Sequence, residues 1–147
     1  MVTRIAVWLF LSITAFPSSG FSKDRTNSTA CSNASLTGKF GFLLSGVHVS
    51  MGDYALMGIF TADGKGNLEG KGIQSANGQQ GQVSFAGTYS IETDCTGSAS
   101  FTFEDKNVGK VRFVLVSNAT EVLIFDVGGH TVETGYAKKQ FGPKGKK

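Results

Sequence analysis

Proline is nearly missing from this chain, with Pro17 and Pro143 the only two in 147 residues. Against them stand 20 glycines, a balance that excludes a disordered Pro-rich chain and calls for many tight turns. Helical periodicity is missing between Phe40 and Ala137. Cysteine and histidine are scarce: Cys31, Cys95, His48 and His130 are the full set. No CxxC redox pair exists, and two lone cysteines without a neighbouring histidine do not make a zinc site. A GxSxG elbow, an HExxH helix and an alignable Ser/His/Asp set are all absent. Gly64-Lys65-Gly66 is not a dinucleotide fingerprint, since Glu69 stands where the third glycine belongs and no helix follows. The sequence therefore offers no catalytic residue, no metal ligand set and no cofactor site.

Charge of one sign is concentrated only at the C-terminal end. The formal charge is +3, and five lysines lie at 138, 139, 144, 146 and 147. Without Arg4 the total is +2, so the body ahead of Lys138 carries –3. The basic tail, 138–147, reads as a solvated end. Only Phe141 is interleaved with its lysines, so a stacking platform for nucleic acid is not expected.

The first 22 residues have the layout of a secretory signal peptide. Arg4 supplies the positive start, Ile5 to Phe16 is an apolar run broken only by Ser12 and Thr14, and Pro17-Ser18-Ser19-Gly20 supplies a breaker and small residues. Cleavage is expected after Gly20 or Ser22. The apolar run is too short and wrongly flanked for stable membrane insertion. About 125 residues then remain, one domain's worth, with the chain's single Trp, Trp8, removed. Export makes the even cysteine count read as one disulfide, Cys31–Cys95, formed in a periplasmic or extracellular space. Residues 23–36 are polar and read as a flexible leader pinned only at Cys31.

What the chain has in plenty is alternation. Eight segments alternate apolar and polar residues, separated by Gly, Asn and Asp turns: 37–45, 54–62, 68–75, 82–92, 97–104, 110–116, 121–127 and 130–137. Short connections predict hairpins. A row of short antiparallel strands must solve its edge problem, so the expected fold is all-β, a single eight-stranded antiparallel up-and-down barrel over residues 37–137. Glycine recurs two residues before an aromatic at Gly38/Phe40, Gly58/Phe60 and Gly87/Tyr89, as bends or close approaches in coiled strands would require.

The apolar face of these segments is the candidate ligand site. Phe42, Leu56, Phe85, Tyr89, Phe101, Phe103 and Phe113 would line an interior cavity if the barrel holds a small apolar molecule, or fill the barrel if it does not. His48 and His130 would lie near one another if the first and last strands pair, with Asp126 and Glu133 gathering at the same rim. That grouping carries no motif. Glu104 and Asp105, adjacent on a strand, would point to opposite faces. Asp63-Gly64-Lys65-Gly66-Asn67 reads as a hairpin turn rather than a calcium loop, because the ligand spacing and the distal Glu are absent. Sequons occur at Asn27, Asn33 and Asn118.

Four stretches, CSNASLTGKFGF (31–42), GIFTADGKGNL (58–68), GTYSIETDCTG (87–97) and GYAKKQ (135–140), resemble a group of small Gly-rich secreted bacterial proteins common in soil acidobacteria. The resemblance spans most of the chain beyond the signal. It implies secretion, a linked cysteine pair and a lipocalin-like or allene-oxide-cyclase-like barrel, also described as calycin-like. It brings no reaction and no catalytic residue.

Three functional classes follow. The first is a secreted barrel that binds a small apolar or amphipathic ligand or an envelope partner. A barrel-type cyclase or isomerase is the second, and a buried His, Asp or Glu in a roomy cavity would favour it. The third is a filled structural or interaction module of the envelope.

Overall fold

A computed structural model describes residues 30–141; the expected signal peptide, the expected leader as far as residue 29 with its sequon at Asn27, and the tail from residue 142 lie outside them. Eight strands follow a short 3-10 turn at Asn33–Ser35: β1 (Thr37–His48), β2 (Gly52–Asp63), β3 (Asn67–Ala76), β4 (Gln79–Ile91), β5 (Thr96–Phe103), β6 (Val108–Val116), β7 (Glu121–Asp126) and β8 (Thr131–Lys139). Each pairs antiparallel with the next, and β1 pairs with β8, closing the barrel in the order β1 to β8. The expected up-and-down barrel is therefore the fold. Most strands overrun an expected bound, by three residues where β1 continues to His48 and β4 begins at Gln79, whereas β4, β5 and β7 end and β8 begins one residue inside theirs.

Turn chemistry explains the hairpins. In the β2–β3 turn the Asp63 carboxylate accepts the backbone N–H of Lys65 at 2.7 Å, that of Asn67 at 2.9 Å and the Asn67 side-chain amide at 2.6 Å. These bonds, the Asn67 side chain foremost, hold the Asp63 carboxyl down at about 2. Gly64 and Gly66 supply positive φ there, at 76° and 111°. The β6–β7 turn achieves the same reversal with Ser117, Asn118 and Ala119 all at positive φ.

The β1–β8 seam depends on two glycines. A Cβ at Gly46 would sit 2.7 Å from Glu133 Cα and collide with the Val132 carbonyl; one at Gly135 would sit 2.8 Å from Leu44 Cα and collide with the Leu43 carbonyl. The strands can coil this tightly only where the side chain is hydrogen. Elsewhere missing Cβ atoms make room for rings: Phe85 lies over Gly70, Phe113 over Gly97 and Phe101 over Gly109.

The interior is aromatic and packed. Phe40 stacks on Phe60 at 5.2 Å, Phe42 meets Phe60 and Phe85 at 6.1 and 5.9 Å, and Phe85, Phe101 and Phe103 meet pairwise at 5.3–5.9 Å. Such pairs contribute about 0.5–1.5 kcal/mol each beyond area burial. The two ends of the barrel differ. At one end Leu36 is buried and plugs the interior; the Tyr89 hydroxyl donates to the Leu36 carbonyl at 2.7 Å, and Asn33 Oδ1 accepts the Ile91 N–H at 2.9 Å. The Cys31–Cys95 disulfide clamps this plug to the β4–β5 turn. Residues 30–36 are therefore held at several points rather than at Cys31 alone, because the polar side chains there satisfy backbone groups at the barrel's end. Among the described residues the opposite end has no such plug.

Candidate functional site

At the unplugged end the barrel widens into a cup of about 950 Å³, ringed by the β1–β2, β5–β6 and β7–β8 connections. Its floor is apolar: Leu44, Leu56, Phe101 and Val111. Below the floor, among Phe42, Phe60, Phe85 and Phe113, only about 60 Å³ remains open. The open space is therefore a cup and not a bore through the barrel.

The wall above the floor is polar, and strand alternation places it. On β8 the inward positions are Ala137, Gly135, Glu133 and Thr131, running from the plugged end to the open one. Glu133 is thus fixed inside by the same period that buries Ala137. It is only 5% exposed. Gly46 lies opposite it on β1, and Asp126 lies beside it on β7, one step past the Phe125–Thr134 pair. Among the described residues no side chain donates a hydrogen bond to its carboxylate, and the one ion pair is elsewhere, between Lys138 and Glu121 at 3.4 Å. Burial first, and then the negative charge of Asp126, push the Glu133 carboxyl up to about 7.

Tyr54 stands on the other flank of Gly46 and donates its hydroxyl to Gln74 Oε1 at 3.1 Å. Burial, then Glu133, then Asp105 push its phenol up to about 12, so it stays a donor. His48 and His130 face the same space with ring centroids 6.5 Å apart. His48 Nδ1 accepts the Ser50 N–H at 3.2 Å, which leaves Nε2 to carry the proton in the neutral ring. Asp126 accepts the Gly128 N–H at 2.9 Å, fixing the β7–β8 loop.

The candidates therefore separate. Leu56, Phe101 and Phe103 line the cup. Phe42, Phe85 and Phe113 belong to the packed interior, around the small void. Tyr89 lies at the plugged end, its hydroxyl bonded to Leu36. The rim group of His48, His130, Asp126 and Glu133 does come together, because β1 and β8 pair. Glu104 and Asp105 do not point to opposite faces of a strand: β5 ends at Phe103, and both residues sit in the β5–β6 turn on the rim. Asp105 is held there by bonds from Asn107, whose N–H and side-chain amide both donate to it. What sequence reasoning missed is that Glu133 is largely buried on the wall of the cup and that Tyr54 and Gln74 stand opposite; extending the alternation of Ala137 and Gly135 back along β8 would have found the first.

Outside the cup, an apolar row crosses six strands in register: Val114, Leu123, Tyr136, Leu43, Met57 and Ile73, each paired with the next and each exposed. Asn118 is exposed in its turn, whereas the side chain of Asn33 is engaged with Ile91. Among the described residues no group of three or more His, Cys, Asp or Glu side chains could hold a metal ion, and no helix is long and apolar enough to cross a membrane.

No protein-family model matches the chain, and no curated protein matches it in sequence. Among solved structures it is similar to a redesigned β-barrel, with a TM-score of 0.57 and 15% identity over 77% of this chain and 98% of that one. At that identity the likeness speaks for the fold alone: the chain is a closed β-barrel.

Proposed function

We propose that this chain is a secreted, lipocalin-like barrel that takes up a small amphipathic molecule in the cup at its open end. The observation that carries this reading is the contrast between the two volumes, about 950 Å³ in the cup and about 60 Å³ below its floor, with an apolar floor and a polar wall. Small-molecule sites have this make-up, a largely apolar concavity with a few polar groups that fix orientation. Leu56, Phe101 and Phe103 are the members of the aromatic set that the molecule touches. The disulfide and the signal-like first 22 residues support export to an oxidising compartment, as does the resemblance to acidobacterial secreted proteins. Native mass spectrometry of protein purified from its own host tests the reading. A co-purifying small molecule, lost when Leu56 is replaced by Trp to block the floor, is expected. An apo protein that takes up nothing from a host extract would overturn it.

One observation favours a second reading, a cyclase or isomerase. Glu133 is a buried carboxyl facing a roomy cavity, and a carboxyl held near 7 suits proton abstraction and return. Turnover that vanishes in Glu133→Gln while the small molecule still binds would separate this activity from uptake alone.

A further inference from the structure

Glu133 is the single charged residue in the buried core of the described chain, and none of the described side chains completes it. Its carboxylate oxygens are not sealed from solvent but reach it through the cup, so a partner for this largely buried group can come only from that space. The surroundings say what. Five charged side chains line the cup, the carboxylates of Glu104, Asp105, Asp126 and Glu133 against the ammonium of Lys110, which leaves –2 or –3 according to the state of Glu133. Lys110 lies on the solvent side of β6, between the inward Gly109 and the buried Val111, and does not reach into the wall as an internal counter-ion. A metal ion is a poor match, because no three ligands converge. The floor directly below Glu133 is hydrocarbon, and Tyr54, Phe101 and Phe103 add ring faces around the same space. Ring faces and carboxylates both attract ammonium groups.

Resting on the uptake proposed above, we infer that the cup selects a compact organic cation, a protonated or quaternary amine on an apolar body, with its charge against Glu133 and Asp126. The body must be compact because the open space stops at Leu44, Leu56, Phe101 and Val111, which leaves no channel for a long chain. Anions are excluded by the carboxylates, and neutral molecules leave Glu133 without a counter-charge.

Three probes with one body test this: 4-phenylbutyl-trimethylammonium, 4-phenylbutanol and 4-phenylbutyrate. Each is titrated into the full, disulfide-bonded protein at about pH 8, where Glu133 is ionised, with binding located by backbone amide shifts in nuclear magnetic resonance. The expected result is shifts at Gly46, Glu133 and Asp126, with the ammonium bound about tenfold or more tighter than the alcohol and the carboxylate weakest. In Glu133→Gln the preference for ammonium over alcohol should shrink to about threefold or less. Alcohol or carboxylate binding in the cup as well as the ammonium overturns the cation inference and leaves uptake standing. An undiminished preference in Glu133→Gln overturns it too. Shifts confined to the outer apolar row, or no shifts with any of the three, remove both.

Discussion

Replacing Glu133 by Gln should make the protein more stable near neutral pH and leave it unchanged in acid. The glutamine keeps the shape and removes the charge. In the unfolded chain the carboxyl titrates at its ordinary 4.5, and in the folded barrel at about 7. Below 4.5 both states hold the proton, and nothing separates them. Between 4.5 and 7 the folded state keeps a proton that the unfolded state has released, so stability falls as pH rises through this window and levels off above it. At about 1.4 kcal/mol for each factor of ten, the full displacement corresponds to roughly 3 kcal/mol. The carboxyl borders a cup open to solvent, and screening there reduces the expected value to about 1–2 kcal/mol. Urea unfolding followed by circular dichroism, with wild type and variant compared at about pH 4 and pH 8, isolates this group from every other carboxylate. The variant should be more stable by that amount at the higher pH and equal within about 0.5 kcal/mol at the lower. Parallel pH curves for the two proteins, or a variant weaker at pH 8, would refute the reasoning. Parallel curves would mean that folding leaves the carboxyl unshifted, and a weaker variant that the fold stabilises its anion.

Asp126→Asn should lower the Glu133 carboxyl by the smaller part of its displacement, since burial is the larger cause; a carboxyl-carbon titration by nuclear magnetic resonance measures it. If an ammonium occupies the cup, its affinity should fall by up to about tenfold between pH 8 and pH 6 as Glu133 takes up a proton, with Asp126, His48, His130 and Tyr54 facing the same space; calorimetry in two buffers would also show protons released on binding. Gly135→Ala should cost about 3 kcal/mol or prevent folding, because its Cβ enters the Leu43 carbonyl and forces the β1–β8 seam apart; a thermal melt reads this. Reducing Cys31–Cys95, separated by 64 residues, should remove about 4 kcal/mol by the loop-closure argument, seen as a lower urea midpoint.

Much of the fold was legible because local chemistry repeats with the strands. Asp63 to Asn67 carries its own hydrogen bonds, so that hairpin is readable without tertiary context. The Phe101/Phe103 alternation names its inward face directly, and two cysteines leave only one pairing. The cup was less legible. Which end of a barrel stays open depends on where a non-strand segment lodges, and residues 30–36 look like any polar leader. Only the tertiary bonds of Tyr89 and Asn33 make Leu36 a plug. Strand ends failed for a related reason. Glu104 reads as a continuation of the alternation, but the bonds from Asn107 to Asp105 end the strand at Phe103 and bring two acidic residues onto the rim. Glu133 shows the limit most clearly: its face follows from period two, but its isolation follows from Gly46 and Asp126 flanking it without a donor and from Tyr54 donating to Gln74 instead, which no pattern along one strand reveals.

The plug and the clamp both sit at one pole of this molecule, so its structural resistance is lopsided. Hairpin tips at the far pole carry none of that reinforcement and are free to change length or composition without disturbing the knot of contacts that keeps the barrel shut. A lineage, or an engineer, could therefore reshape the mouth of the cup by exchanging those tips while inheriting the molecule's durability intact.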